Sequence, residues 1–106
     1  MPSETTKACA IEIAREMLLG RIGAIEAARL LCPILHQDPA IVSRTDFNSI
    51  RGIDSETDDL PVGRVREQWH SDFLPEKDRE IARCEGLYMD QVRAICERIL
   101  AGAQAH

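Results

Sequence analysis

The last third of the chain carries a continuous helical pattern of apolar residues, and this pattern limits the fold more than any other feature. Successive apolar positions lie three or four residues apart, as on one face of an α-helix: Ile81, Cys84, Tyr88, Val92, Ile95 and Ile99. A helix over about residues 75–101 would be roughly 40 Å long. It cannot bury this face alone, so the pattern predicts a bundle in which earlier segments pack on a long final helix.

Two shorter helical segments precede this helix. The first covers about residues 4–19 and ends at Gly20, because glycine readily adopts the conformation that ends a helix. The second begins near Gly23, and Pro33 predicts that it kinks or ends there, since proline has no backbone N–H to donate. The short link between the two segments predicts an antiparallel pair.

Residues 38–63 interrupt the helical pattern and form a connection that is long for a small domain. Connections of this length are usually functional or contain structure of their own. A helical turn over residues 46–50 would place Phe47 and Ile50 on the core. We therefore predict a single all-α domain over residues 1–106, with the antiparallel pair packed on the C-terminal helix and this irregular or short-helix connection covering one end.

The composition excludes several classes of function but says little more about the fold. The 106 residues include 13 Lys and Arg and 18 Asp and Glu, a formal net charge of −5, and 4% are aromatic. This balance argues against a nucleic-acid binder, which needs a basic face or stacking rings. No apolar run is long enough for a membrane span, and the polar N-terminus lacks the order of a signal peptide. We predict a cytoplasmic, bacterial-type protein without membrane contact.

The four cysteines, in a reducing compartment, are predicted to be buried thiols without disulfides. They are Cys9, Cys32, Cys84 and Cys96, and none forms a C-x-x-C pair. Cys32 and His36 have a spacing that could hold a metal, but two further ligands are not evident. No catalytic motif is recognisable either, so the sequence leaves open whether the chain is an enzyme and predicts no cofactor.

The connection contains an acidic segment, which we define as residues 54–59, with the carboxylates of Asp54, Glu56, Asp58 and Asp59. Its spacing is partly that of a calcium loop, but Asp59 and Val65 stand where the loop requires glycine and glutamate. One interpretation is structural: Ser55 and Asp58 have the form of a capping box. Neighbouring arginines, Arg51, Arg64 and Arg66, could also pair with these acids. The other interpretation is an acidic surface that attracts a basic partner.

Arg66 and Trp69 follow the acidic segment in the sequence. Arginine and tryptophan dominate the binding energy of many protein interfaces, so both are candidates for partner contacts. Trp69 is equally interpretable as a core anchor.

Residues 50–63 read IRGIDSETDDLPVG, and they are followed by R-x-x-W at Arg66 and Trp69. This block resembles a group of small bacterial proteins of uncharacterised function, in which G-I-D-S-E-T-D-x-L-P-x-G precedes R-x-x-W and a long final helix. The resemblance extends from about Gly20 onward, and it implies no particular chemistry. As a class, small acidic helical proteins are also similar to the immunity proteins of bacterial toxin systems, which implies a protein partner.

The leading hypothesis is a non-enzymatic protein-binding module, such as an immunity or antitoxin-like protein that neutralises a protein partner through its acidic segment. The candidate partner-binding residues are Asp54, Glu56, Asp58, Asp59, Arg66 and Trp69. One alternative is a small metal-dependent enzyme, or a subunit of one, that uses the same carboxylates. Another is a structural homo-oligomer, such as a homodimer formed through the C-terminal helix.

Overall fold

Four α-helices and one short 3-10 turn form the part of the chain that the computed structural model describes, residues 2–62 and 74–104. In chain order they are α1 (Pro2–Leu18), α2 (Ala24–Gln37), the 3-10 turn Pro39–Ile41, α3 (Arg44–Glu56) and α4 (Leu74–Gln104). These residues contain no strand, and the helices pack against one another. The predicted all-α bundle is confirmed.

Helices α1 and α2 form the predicted antiparallel pair. Gly20 has a φ of 77°, a left-handed conformation that glycine adopts without steric cost, and α1 ends just before it. The hydroxyl of Thr6, near the start of α1, donates to the carboxylate of Asp38 at the end of α2, at 3.2 Å. Because this bond joins the start of one helix to the end of the other, the two helices run in opposite directions.

Pro33 was predicted to kink or end the second helix; an end there is wrong, since α2 continues through Pro33 to Gln37. Pro33 is exposed, while Leu31 and Leu35 on either side of it are fully buried. The proline removes one hydrogen bond within the helix. Burial of the two leucines offsets that loss, at roughly 2 kcal/mol for each side chain.

The connection contains a helix of 13 residues, α3, where the sequence predicts an irregular or short-helix connection with a helical turn over residues 46–50. Ser43 caps its start, because the Ser43 hydroxyl accepts a hydrogen bond from the backbone N–H of Asp46 at 3.1 Å. Phe47 is half-buried and Ile50 fully buried, so the prediction that both reach the core is confirmed. The predicted capping box at Ser55 is wrong, because Ser55 lies in the last turn of α3.

Helix α4 has 31 residues and is roughly 46 Å long, close to the 48 Å long dimension of the molecule. Its apolar face packs on α1 and α2. Near its C-terminal end, Arg98 binds Asp46 at the start of α3 through two hydrogen bonds of 2.8 Å. Farther toward its N-terminal end, the Tyr88 hydroxyl donates to Glu56 at the end of α3. Helix α4 therefore runs antiparallel to α3.

The core has two parts. The larger cluster joins all four helices, and the smaller one contains Ile25, Leu60 and Cys84. The prediction of buried cysteine thiols is confirmed for Cys32, Cys84 and Cys96. It is wrong for Cys9, which is exposed on α1. Among the described helices, none combines the length and apolar character needed to span a lipid bilayer.

Candidate functional site: the acidic segment and the adjoining groove

Asp54 is the carboxylate of the acidic segment that faces the protein itself. Its side chain is 29% exposed, and Oδ1 lies 4.0 Å from Nε of Arg29 on α2. The thiol of Cys32, also on α2, is close enough to the same carboxylate to interact with it electrostatically. Burial, and secondly the negative charge of Asp54, raise the pKa of this thiol above its ordinary value. Asp54 therefore has partners on α2 and is not a freely presented charge.

Arg29 fixes the chain that follows α3. Its guanidinium donates to the backbone carbonyl of Leu60 at 2.9 Å and to that of Thr57. The buried hydroxyl of Thr57 donates to the carbonyl of Ile53 at 2.6 Å. Leu60 and Pro61 are buried as well. The turn after α3 is thus attached to α2 through carbonyl hydrogen bonds and through its own buried side chains.

The other carboxylates of the acidic segment lie on the outer side of this turn. Glu56 accepts the hydrogen bond from Tyr88, and this bond is the main cause that raises the pKa of the Tyr88 hydroxyl. Asp59 remains 59% exposed although its carboxylate is 3.5 Å from Nζ of Lys77. Asp58 is exposed, and no described residue forms an ion pair with it. All three carboxylates are exposed, and Asp58 and Asp59 are the two that accept no hydrogen bond from a described side chain.

Two further candidates for partner contacts, Arg66 and Trp69, lie outside the described residues. Arg64 also lies outside them, and so do the ion pairs that Arg64 and Arg66 could form with the acids. Arg51, which the sequence analysis paired with the acids, is placed elsewhere: its guanidinium lies over the ring of Phe47, 5.6 Å from the ring centre. Within residues 2–62 and 74–104, no three His, Cys, Asp or Glu side chains are close enough together to hold a metal ion.

Beside Asp54 lies an open groove of about 440 Å³ between α2 and α3. Helix α2 contributes Cys32 and His36 to its lining. Helix α3 contributes the remaining lining residues, Asn48, Arg51, Gly52, Asp54 and Ser55. No lining side chain is a large apolar one, so polar and small residues border the groove at the surface of the α2–α3 pair.

This groove was not predicted from the sequence. A signal was present, because Asn48, Gly52 and Ser55 follow one another at helical spacing on a face that carries no large apolar residue. This spacing places the three residues on one face only if residues 44–56 form a helix, and no helix of that length was predicted there. The opposing residues on α2 are also distant in sequence.

The groove does not have the chemistry of a cysteine nucleophile. Such a nucleophile needs a lowered thiol pKa, whereas burial and Asp54 raise the pKa of Cys32. Comparison of the chain with protein-family models, curated proteins and solved structures finds no match. The fold and the site therefore define a small all-α bundle with two adjoining surfaces: the solvent-facing acids after α3 and the polar groove beside them.

Proposed function

We propose that the chain is a non-enzymatic protein-binding module that captures a partner with a basic surface through its acidic segment. The observation that supports this most is that Asp58 and Asp59 face solvent on a turn that Arg29 attaches to α2. A binding surface that is already ordered loses less conformational entropy when the partner binds.

The charge around this turn favours a basic partner. Lys77 lies 3.5 Å from the carboxylates of both Asp59 and Glu80, so one ammonium group is shared by two acids. Asp58 and Glu56 add further negative charge nearby, and the whole chain has a formal net charge of −5. A negative electrostatic field accelerates association with a basic surface. Added salt weakens this attraction, because exposed charges are screened beyond about 8 Å at physiological ionic strength.

The finer form of the proposal is an immunity or antitoxin-like role, in which the bound chain blocks the active surface of a protein toxin. It is supported by the class-level similarity of small acidic helical proteins to immunity proteins. Arg66 and Trp69 are the proposed anchors, because their side chains are of the types that contribute most to interface affinity. In this mechanism, the acidic segment attracts the partner and the bundle excludes the partner's substrate.

The experiment is a pull-down from the native host with three forms of the tagged protein, analysed by quantitative mass spectrometry. The acidic variant carries Asp58→Lys and Asp59→Lys. The control variant carries Glu12→Lys and Asp90→Lys, which reverse two exposed charges on α1 and α4 and change the net charge equally. Asp54 is left intact, since its reversal would also disturb Arg29 and Cys32. Circular dichroism verifies that all three forms are folded.

A partner that the wild type and the control variant retain, but that the acidic variant loses, supports the proposal. Retention of every captured protein by both variants would overturn it, as would a complete lack of specific capture. Elution of the partner by moderate salt would further identify the contact as electrostatic.

A homo-oligomer is the second candidate, because Leu87 on α4 is 62% exposed. A large apolar side chain in this position contributes to the fold far less than the buried residues of the same helix do. Sedimentation equilibrium of the wild type and of Leu87→Glu distinguishes the cases. A dimer that Leu87→Glu dissociates supports this candidate, and a wild-type monomer at all concentrations rejects it.

A further inference from the structure

The polar groove between α2 and α3 is not used by the contact proposed above, and its lining is rich in hydrogen-bond donors. Asn48 offers an amide, Ser55 a hydroxyl and Arg51 a guanidinium, all on one face of α3. No described residue forms a hydrogen bond or an ion pair with these three side chains. Within the described part of the chain, these three side chains therefore have no polar group that competes with a molecule in the groove.

The Phe47 ring orients two of the groove's side chains. Arg51 lies over the ring face, with its guanidinium carbon 5.6 Å from the ring centre. The imidazole of His36 meets the same ring edge-on, with the ring centres 5.0 Å apart and the planes at 81°. A guanidinium held against an aromatic face keeps its N–H donors directed outward, so Arg51 is partly ordered before any ligand binds.

Asp54 is the one carboxylate in the lining. It interacts with a residue other than Asn48, Arg51 and Ser55, the three donors named above. Arg29 approaches it from α2, with its Nε 4.0 Å from Oδ1 of Asp54. The negative charge of Asp54 is therefore offset at the inner side of the groove. Arg51 remains as a cation without a carboxylate partner among the described residues.

Gly52 lines the groove, and the fold does not require a glycine there. A β-carbon built on Gly52 would meet no atom within 4 Å. A glycine inside a helix costs about 1 kcal/mol relative to alanine. The missing side chain leaves the backbone of α3 open to close approach by another molecule, between the donors of Asn48 and Ser55.

We propose that this groove is a binding site for an oxyanion, the carboxylate or phosphate group of a small ligand. Arg51 is the charged anchor, Asn48 and Ser55 supply neutral donors, and Gly52 allows the ligand to lie against the helix. This site goes beyond the proposed function, because it requires neither a basic partner nor the solvent-facing acids of the turn.

The test is a titration of the ¹⁵N-labelled protein followed by NMR, at constant ionic strength and in a buffer without carboxylate or phosphate. The probes are inorganic phosphate and succinate, and succinamide is the neutral analogue of the second. We expect saturable shifts at the backbone amides of residues 48–55 and at Nε–H of Arg51, and no saturable shift with succinamide. The tighter-binding anion identifies the natural group as phosphate or carboxylate.

Matched variants distinguish this site from general attraction of anions. Arg51→Gln and Arg44→Gln each remove one positive charge from α3, but Arg44 is exposed at the first residue of the helix and does not line the groove. We expect Arg51→Gln to weaken binding about tenfold and Arg44→Gln to change it less than about twofold. Equal effects of the two variants, or shifts without saturation, would overturn the proposal.

Gly52→Val gives an independent result. Its side chain enters open space, so the variant is expected to fold, which the dispersion of its NMR spectrum verifies. Loss of anion binding in a folded Gly52→Val protein supports occupation of the groove. Unchanged binding would show that the anion lies elsewhere.

Discussion

The carboxylate of Glu85 on α4 occupies the space that a side chain on Gly23 would need. A β-carbon at residue 23 would lie 2.6 Å from Oε1 of Glu85. The same carboxylate accepts hydrogen bonds from the backbone N–H groups of Ala24 and Ile25, at 2.8 and 2.9 Å. These groups lack partners within α2, and Gly23 itself provides no side-chain cap. A residue from the far end of the sequence therefore caps the second helix.

Replacement of Gly23 by alanine should lower the free energy of unfolding by about 1–2 kcal/mol, the typical value of a helix cap. The backbone at Gly23 is extended, with φ of −84°, so alanine meets no local strain. The loss comes from the Glu85 carboxylate, which has to move away from α2. Urea denaturation followed by circular dichroism measures it.

Gly86→Ala is the matched control, because a β-carbon at Gly86 meets nothing within 4 Å. This exposed helical position should gain about 0.5–1 kcal/mol from alanine. In a Glu85→Ala background, Gly23→Ala should lower the free energy of unfolding much less than it does in the wild type. An equal cost in both backgrounds would show that the two residues act independently.

Arg29→Met should destabilise the protein by about 2–3 kcal/mol, since it leaves the carbonyls of Thr57 and Leu60 without their charged donor. Methionine retains the apolar stem, so the measured change reports mainly the guanidinium. Hydrogen exchange at the amides of Leu60 and Val62 should accelerate more than at the centre of α4.

Arg21→Met is the control for this change. Arg21 pairs with Glu16 at the surface, and its side chain is 67% exposed. Such a pair contributes about 0–1 kcal/mol. If Arg29→Met cost no more than Arg21→Met, the attachment of the turn to α2 would not depend on Arg29.

Only Cys9 should react rapidly with a thiol reagent in the folded protein. Cys9 is exposed, whereas Cys32, Cys84 and Cys96 are buried. Burial also raises the pKa of Cys32 and Cys96, which lowers the thiolate fraction of both. A chromogenic disulfide at about pH 8 should release one fast equivalent, and Cys9→Ser should abolish it. A second fast equivalent would contradict the buried placement of the other three.

Stability should fall at alkaline pH, partly because of Cys96. Burial raises the pKa of its thiol from 9.0 to about 11. The unfolded chain therefore ionises this thiol first, and between these two values the native state binds more protons than the unfolded state. The contribution is fully present below about pH 9 and is lost at about 1.4 kcal/mol per pH unit until the folded pKa is reached.

Denaturation of wild type and Cys96→Ala across this pH range measures the effect. Cys96→Ala should be less stable at neutral pH, because it leaves a small cavity, but its stability should depend less on alkaline pH. Curves of identical slope for the two proteins would assign the alkaline loss to other groups.

The long final helix and the antiparallel first pair could be predicted because each depends on a local pattern. The apolar spacing from Ile81 to Ile99 is visible without knowledge of any partner segment. The positive φ of Gly20 is likewise a local property of glycine. The end of α2 was harder to predict, since Pro33 opposes the helix locally and only the burial of Leu31 and Leu35 overcomes it.

Helix α3 and the site beside it depend on contacts between distant segments, and this is why the sequence indicated them poorly. Few apolar residues mark α3, and its buried positions include polar Asp46, with Thr57 buried just beyond its end. Those groups are satisfied by Arg98 from α4 and by a carbonyl within the helix. The orientation of the acids could not be predicted either, because Asp54 faces Arg29 and Cys32 on α2, which are distant in sequence, whereas Asp58 lies beyond the end of α3.

The contacts made by α4 limit which insertions and deletions in its sequence the fold can accept. Glu85 must face α2 while Arg98, on the same helix, must face Asp46 on α3. Inserting or deleting one residue between them would rotate one contact by about 100° relative to the other. We therefore expect substitutions to accumulate along the solvent side of this helix, whereas changes in its length would be confined to the ends.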